Sequence, residues 1–157
     1  MKINYLNIYN NLIKLTRNKN LYLKLEKQDT FSDRLIILFF HLGFFMNYFK
    51  YKVSKSEMQY LFDFIIKHIE LSIREIGYGD VSINKKMKEL INLLYLIISK
   101  IELWENEKDE FKNNLIKDYL NINKNHHYFV DYFEKYRIFL SKNTLNNFSK
   151  DILDLKF

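Results

Sequence analysis

Hydrophobic residues recur every three or four positions along nearly the whole chain, and this spacing is typical of helices packed on a common core. Strict alternation of apolar and polar residues, which would predict a β-strand, is not sustained anywhere in the sequence. We therefore predict an all-α protein, a bundle of about six to seven helices. With 157 residues the chain is long enough to bury a full core, so residues 1–157 are expected to form a single domain.

The first third of the chain is predicted to contain two long helices separated by a short one. The first long helix covers residues 3–17 and ends at a polar Asn-Lys-Asn stretch, after which residues 21–25 form a short segment. The second begins near Thr30 or Ser32, since either hydroxyl can cap a helix, and ends near Lys50. It is apolar almost all round, as expected of a helix in the centre of a core. The buried face of the first helix is predicted to be Leu6, Tyr9, Leu12 and Ile13.

A capping box marks the start of the third long helix, because Ser54 stands three residues before Glu57. Gly77 is predicted to follow its last turn, and the next helix is predicted to begin near Ser82. The apolar stripe of the third helix is predicted to be Met58, Leu61, Phe62, Ile65, Ile69, Ile73 and Ile76. That of the fourth helix is predicted to be Met87, Leu90, Ile91, Leu94, Ile98 and Ile101.

The last third of the chain is predicted to hold three shorter helices. A charged connector over residues 105–109 precedes helices over 110–120 and 128–140, and the last helix begins near Asn143 or Thr144. The apolar face of this last helix is predicted to be Leu145, Phe148, Ile152 and Leu155.

Composition and charge narrow the class of protein. The absence of Cys excludes disulfides, thiol catalysis and Cys-rich zinc sites, and there is no Pro. A net charge of +6 is compatible with an acidic partner such as RNA, the ribosome or an anionic membrane surface. However, the chain has 21 Lys and only 4 Arg, with 18 Asn and no Ala. This bias indicates drift toward AT-rich codons more than selection for a phosphate-binding groove.

The most hydrophobic stretch, residues 35–49, is shorter than the roughly 20 residues that a membrane crossing needs, and it contains His41 and Asn47. A buried central helix is the favoured interpretation, with contact to a membrane face or an apolar client as the alternative. The N-terminal stretch has no apolar run typical of a signal peptide. We therefore expect a cytoplasmic protein.

Recognisable catalytic chemistry is missing from the sequence, which contains no phosphate-binding loop, nucleophile elbow or metalloprotease motif. His41 lies inside the apolar helix and is predicted to be a hydrogen-bonded core residue. His68 and Glu70 are two positions apart and point to different helix faces. His126 and His127 diverge by about 100° on a helix, which disfavours chelation. We predict neither an enzyme nor a bound metal or cofactor.

The most informative pattern lies in residues 74–81, Arg-Glu-Ile-Gly-Tyr-Gly-Asp-Val. Gly77 and Gly79 are two of only three glycines, which predicts backbone conformations or close approaches that a Cβ would block. Arg74 is close enough in sequence to bridge to Asp80. The segment is either a tightly built helix–helix corner or a rigid polar patch that a partner recognises. Three lysines crowd the first turns of the next helix, which favours either an acidic partner or a merely solvated face: Lys85, Lys86 and Lys88.

A second pattern of interest lies in residues 28–34, Gln-Asp-Thr-Phe-Ser-Asp-Arg. Asp29 and Thr30 are ordinary residues for a helix start. Arg34 stands where the apolar helix begins, either in a salt bridge to Asp29 or Asp33 or as a planar fork at an interface.

Taken together, these two segments resemble the ubiquinol–cytochrome c chaperone family, whose mitochondrial and alphaproteobacterial members assist assembly of the cytochrome bc1 complex. The family pattern is an aromatic-containing segment, here with Tyr22, then D-T-x-x-x-R, R-E-x-G-x-G-D and a basic K-x-M-K stretch. The matching residues here are Asp29, Thr30, Arg34, Arg74, Glu75, Gly77, Gly79, Asp80, Lys85, Lys86, Met87 and Lys88. The resemblance covers about residues 8–101. It departs after Tyr95, where relatives carry a Gly-Arg pair that this chain replaces with Leu-Ile.

The resemblance implies a non-catalytic chaperone that binds newly made cytochrome b, or another apolar membrane subunit, through these twelve residues. This hypothesis predicts an apolar groove bordered by Arg34, Arg74 and Asp80. It also implies a small partner assembly factor, contact with the ribosome, and a place at the inner membrane, on the matrix side in mitochondria. The alternative hypothesis is a ribosome- or RNA-binding module that uses the basic face. An enzyme would instead need two titratable groups converging in a cleft.

Overall fold

The structure is a computed structural model that describes residues 3–27, 30–151 and 154–157. Within these ranges every regular element is helical, which confirms the predicted all-α class. The helices, in chain order, are α1 Tyr5–Thr16, α2 Lys19–Leu23, α3 Phe31–Phe49, α4 Lys55–Glu75, α5 Asp80–Ile101, α6 Asp109–Leu120, α7 His126–Ser141 and α8 Leu145–Phe148. A 3₁₀ turn, Trp104–Asn106, connects α5 to α6.

The central helix of the bundle is α3, which packs against α1, α5, α6 and α7. Its side chains are buried on nearly all sides, as its apolar sequence predicts. Gly43 allows α3 to pack close to α5, since a Cβ at this position would lie 2.6 Å from Cδ1 of Ile101. The remaining helices form the outer layer, with α4 packed on α1 and α5, α6 on α7, and α8 on α1.

A polar network lies inside this core and joins α3 to α7. Nδ1 of His41 lies 2.9 Å from the Ile37 carbonyl oxygen, and Nε2 lies 2.6 Å from the Tyr132 hydroxyl. The Tyr136 hydroxyl donates to the carbonyl oxygen of His41 at 2.9 Å. The prediction of a hydrogen-bonded core histidine is confirmed. Burial lowers the pKa of His41 to about 3, so the ring is neutral at pH 7.

The predicted helix starts are confirmed where the sequence carries a capping residue. Thr30 caps α3 and Ser54 caps α4, and each forms a capping box with the acidic residue three positions later. Helix α5 begins at Asp80, two residues before the predicted start near Ser82, because Gly79 takes the cap position with no side-chain bond to mark it. The predicted connector over residues 105–109 contains part of the 3₁₀ turn.

Some predicted faces are wrong at individual residues. On α1 the buried residues include Ile8, Leu12 and Leu15, whereas the predicted Leu6 is exposed. Both sets have helical spacing, and packing against α3 and α4 selects between them. Ile76 is 54% exposed because α4 ends one residue before it. The last helix is shorter than predicted: α8 covers only four residues, and the predicted Ile152 lies outside the described residues.

None of the described helices combines the length and the apolar character that crossing a bilayer requires.

Candidate functional site

The corner between α4 and α5 is built by four residues, 76–79, that reverse the chain direction. Gly77 has φ +109°, a conformation that L-residues rarely adopt, and its N–H donates to the Arg74 carbonyl oxygen at 3.0 Å. This is the C-terminal arrangement that favours glycine just past a helix end. The predictions that Gly77 follows α4 and that it needs a special backbone conformation are confirmed.

Arg74 holds the two sides of this corner together. Its Nη1 donates to Oδ1 of Asp80 at 2.5 Å, and its Nη2 donates to Oε1 of Glu70 at 3.2 Å. The predicted Arg74–Asp80 bridge is therefore confirmed. The hydrogen bonds to Asp80 and Glu70 raise the pKa of Arg74 above its already high value. The Asp80 side chain is 91% exposed, so this bridge adds little to stability and stays open to a partner.

Gly79 does not follow the prediction made for it. Its φ of −79° and ψ of 170° suit any residue, and a Cβ built at this position meets nothing within 4 Å. Neither backbone strain nor crowding inside the chain requires glycine here, which corrects the expectation drawn from the sequence. A serine would even supply the cap that α5 lacks.

Apolar side chains are exposed around the ion pair of the corner. Val81 is 92% exposed, Ile76 is 54% exposed and Tyr78 is 41% exposed. We call Ile76, Tyr78 and Val81, with Arg74 and Asp80, the corner patch. An exposed apolar cluster beside a fixed ion pair is a surface of the kind that binds another protein.

The basic stretch that follows the corner divides between surface and core. Lys85 and Lys88 are exposed and Lys86 is half-buried, whereas the side chain of Met87 is buried in the core. Among the residues that the structure describes, no carboxylate forms an ion pair with these three lysines.

The second predicted segment lies at the start of α3. The Thr30 hydroxyl oxygen accepts from the Asp33 N–H at 3.2 Å, and Asp33 also forms a 3.0 Å ion pair with Lys27. Thr30 therefore caps α3. Arg34 is exposed on the first turns of α3, and Asp29 lies outside the described residues.

Arg34 lines a cleft, whereas Arg74 and Asp80, which were predicted to border the same groove, are not among its lining residues. The cleft encloses about 980 Å³ between α1, α2, the first turns of α3 and the C-terminal half of α4. Its apolar floor includes Leu35, Leu38 and Ile69, which are buried. The cationic residues that line it are Lys14, Arg17, Lys19 and Arg34. We call this the basic-rimmed cleft.

Tyr9 lines the basic-rimmed cleft and packs on α4, with its ring centroid 4.9 Å from that of His68. Burial raises the pKa of Tyr9, and the negative charge of Glu75 raises it further. A hydrogen bond with Ser72 and the positive charge of Arg17 lower the pKa, but the net shift is upward. Glu75 itself is exposed at the last position of α4. Ser72, which lines the cleft, stands two residues before Arg74, so one end of the cleft lies near the last turns of α4. No local motif marks Tyr9 or Arg17; the scarcity of arginine was the one available signal for Arg17.

Within the described part of the chain, no three His, Asp or Glu side chains converge into a group that could hold a metal ion.

Comparison with known protein families shows which family the chain belongs to. The model of the ubiquinol-cytochrome C chaperone family matches residues 23–115, more than half of the sequence. The match includes both predicted segments, although it begins and ends later than the motif resemblance did. The chain belongs to the ubiquinol-cytochrome C chaperone family. Membership supports a chaperone role in assembly of the bc1 complex, rather than a catalytic one. No curated protein and no solved structure matches the chain.

Proposed function

We propose that this protein binds newly made cytochrome b, without catalysing a reaction, and assists its assembly into the cytochrome bc1 complex. The observation that carries the proposal is the family match, which spans the corner and the start of α3. Unassembled cytochrome b is a bundle of apolar helices, and the surface that it exposes before assembly favours aggregation. A chaperone that covers such a surface needs apolar contacts of its own, and the corner patch supplies them.

The geometry of the corner supports this assignment. Val81 and Tyr78 provide apolar contact area, while the Arg74–Asp80 pair supplies polar groups held at 2.5 Å. Hydrogen bonds at fixed positions beside an apolar contact restrict the ways in which a partner can dock. The apolar side chains of the patch therefore contribute to binding a partner, and the ion pair fixes the partner's orientation.

Gly79 gives the proposal a specific point of contact that can be tested. Since nothing inside the chain requires glycine at this position, a requirement for a bare backbone would come from outside. A partner segment that lies against the Gly79 backbone would exclude any side chain there. We expect the client to approach the corner at this point.

The experiment is a pull-down of tagged full-length chain co-expressed with cytochrome b. We expect recovery of cytochrome b with the native chain and a loss of about fivefold or more with Asp80→Ala. Because Asp80 is exposed, the melting temperature should change by less than about 2 °C. Asp63→Ala is the matched control, since it removes another exposed carboxylate, from the middle of α4, where it accepts from Gln59 at 2.8 Å.

Three outcomes would count against the proposal: no cytochrome b with the native chain, equal losses with both variants, or loss of folding with Asp80→Ala. Mass spectrometry of the same eluate tests the other partners that the resemblance implies, the small assembly factor and the ribosome. Ribosomal proteins recovered in place of cytochrome b would favour the RNA-binding alternative.

A further inference from the structure

The basic-rimmed cleft has the dimensions of a ligand site. Its volume of about 980 Å³ is at the upper end of the range for small-molecule pockets, about 300–1,000 Å³. The buried side chains of Leu35, Leu38 and Ile69 form its floor, and the exposed apolar side chains of Leu23 and Phe31 line its opening. An occupant therefore needs an extended apolar part.

The charged residues on the rim of the cleft are mostly positive. Lys14, Arg17 and Lys19 are exposed, and no carboxylate of the described residues forms an ion pair with any of them. Elsewhere in the protein several cations are neutralised, as Lys27 is by Asp33. Asp151 is the one carboxylate among the described residues that line the cleft. The occupant therefore also needs an anionic end.

These two requirements distinguish between classes of partner. Loops of membrane proteins on the cytoplasmic side carry an excess of Lys and Arg, which this rim would repel. Nucleic acids supply the negative charge but no extended apolar part. A phospholipid with an anionic head group supplies both, with its acyl chain on Leu38 and Ile69 and its head group at Arg17.

We propose that the basic-rimmed cleft binds an anionic phospholipid, with one acyl chain inside the cleft and the phosphate at the cationic rim. This site is separate from the corner patch in its chemistry, and it does not depend on the identity of the client. Binding there would bring the corner next to the membrane surface at which a membrane-protein client is inserted.

The first experiment measures sedimentation of the full chain with vesicles of phosphatidylcholine alone or with added phosphatidylglycerol. We expect binding only where phosphatidylglycerol is present. Replacing both Lys14 and Arg17 by Gln should weaken it roughly 25-fold, since each cation near an anionic surface contributes about fivefold. The matched control replaces Lys85 and Lys88 by Gln, which removes the same charge from α5, and should weaken binding less than about threefold.

The second experiment places the acyl chain. Monomeric short-chain phosphatidylglycerol with a nitroxide on the acyl chain should broaden the methyl NMR signals of Leu38 and Ile69. The methyl signals of Leu94, buried on α5 and absent from the cleft lining, are the internal control and should stay sharp.

Equal weakening by the two double variants would mean general electrostatic adsorption and would overturn the proposal. So would binding to phosphatidylcholine alone, or broadening that spares Leu38 and Ile69. Binding of laurate without binding to phosphatidylglycerol would also overturn it, since the occupant would then be a free fatty acid. Unchanged melting of both variants guards against loss of the fold.

Discussion

His41 illustrates how one buried side chain makes stability depend on pH. Its pKa is about 3 in the folded chain, well below the ordinary value of 6.5, because burial disfavours the charged ring. Between these two values the unfolded chain binds a proton that the folded chain does not. Stability conferred by neutral His41 is therefore complete above pH 6.5 and is lost as the pH falls toward 3.

We predict that the free energy of unfolding falls between pH 6.5 and pH 5 by up to about 1.4 kcal/mol per pH unit from His41 alone. Urea unfolding at a series of pH values measures this slope. His41→Gln is the control, because every other titrating group is common to both proteins and cancels in the difference. Equal slopes for the two proteins would show that His41 is not buried as described.

The two glycines of the corner are predicted to respond differently to substitution. Gly77→Ala should destabilise the protein by about 1–2 kcal/mol, since φ is +109° and an L-residue is strained there. Gly79→Ser should change stability by less than about 0.5 kcal/mol, because its backbone is ordinary and serine can cap α5. Chemical denaturation measures both.

Gly79→Ser also separates structure from function. If the client lies against this backbone, the variant should retain its fold and lose cytochrome b in the pull-down. A fully active Gly79→Ser variant would remove the argument from Gly79, and a destabilised one would contradict the geometry of the corner.

At the scale of elements, a carboxylate on α7 joins three neighbours. Glu134 accepts from Nε1 of Trp104 at 2.6 Å, from Nζ of Lys112 at 2.8 Å and from Nη1 of Arg137 at 2.9 Å. Burial raises the pKa of Glu134, but the bonds from Lys112 and Trp104 and the charge of Arg137 lower it by more, so the net shift is downward. The carboxylate is therefore ionised at neutral pH and ties the 3₁₀ turn and α6 to α7.

We predict that Glu134→Ala destabilises the chain by about 1–3 kcal/mol, because Trp104 loses its hydrogen-bond acceptor inside the protein. Trp104 is the single tryptophan, so thermal unfolding followed by its fluorescence reports on this contact. Glu105→Ala is the control: Glu105 is mostly exposed, and its one ion pair among the described residues is with Arg137. A loss as large with Glu105→Ala would contradict the central role of Glu134.

The helices that could be predicted from sequence are those with local signals. Thr30 and Ser54 marked the starts of α3 and α4 because a capping side chain acts within three residues of itself. The start of α5 was placed two residues late because its cap, Gly79, forms no side-chain bond. The face of α1 was partly wrong because packing against other helices decides between two stripes with equal spacing.

At the scale of the whole molecule, the corner was predictable, whereas the position and the lining of the basic-rimmed cleft were not. Arg74 and Asp80 are six residues apart, so their bridge followed from local chain geometry. The cleft instead depends on α1, α2, α3 and α4 meeting in space, which no spacing in the sequence reveals. Its lining residue Arg17 stands in no motif. Family membership is shown over residues 23–115, which include the corner and the start of α3.

The central claim is that the corner patch contacts cytochrome b, and site-specific photocrosslinking tests it most directly. A photoreactive amino acid at Val81, which is 92% exposed, should crosslink to co-expressed cytochrome b. The control position is Tyr51, which is 87% exposed beside the opposite end of α4, about 30 Å away along that helix. We predict a crosslinked product from position 81 and none from position 51. A product from position 51 alone, or none from either position while cytochrome b co-purifies, would contradict the account.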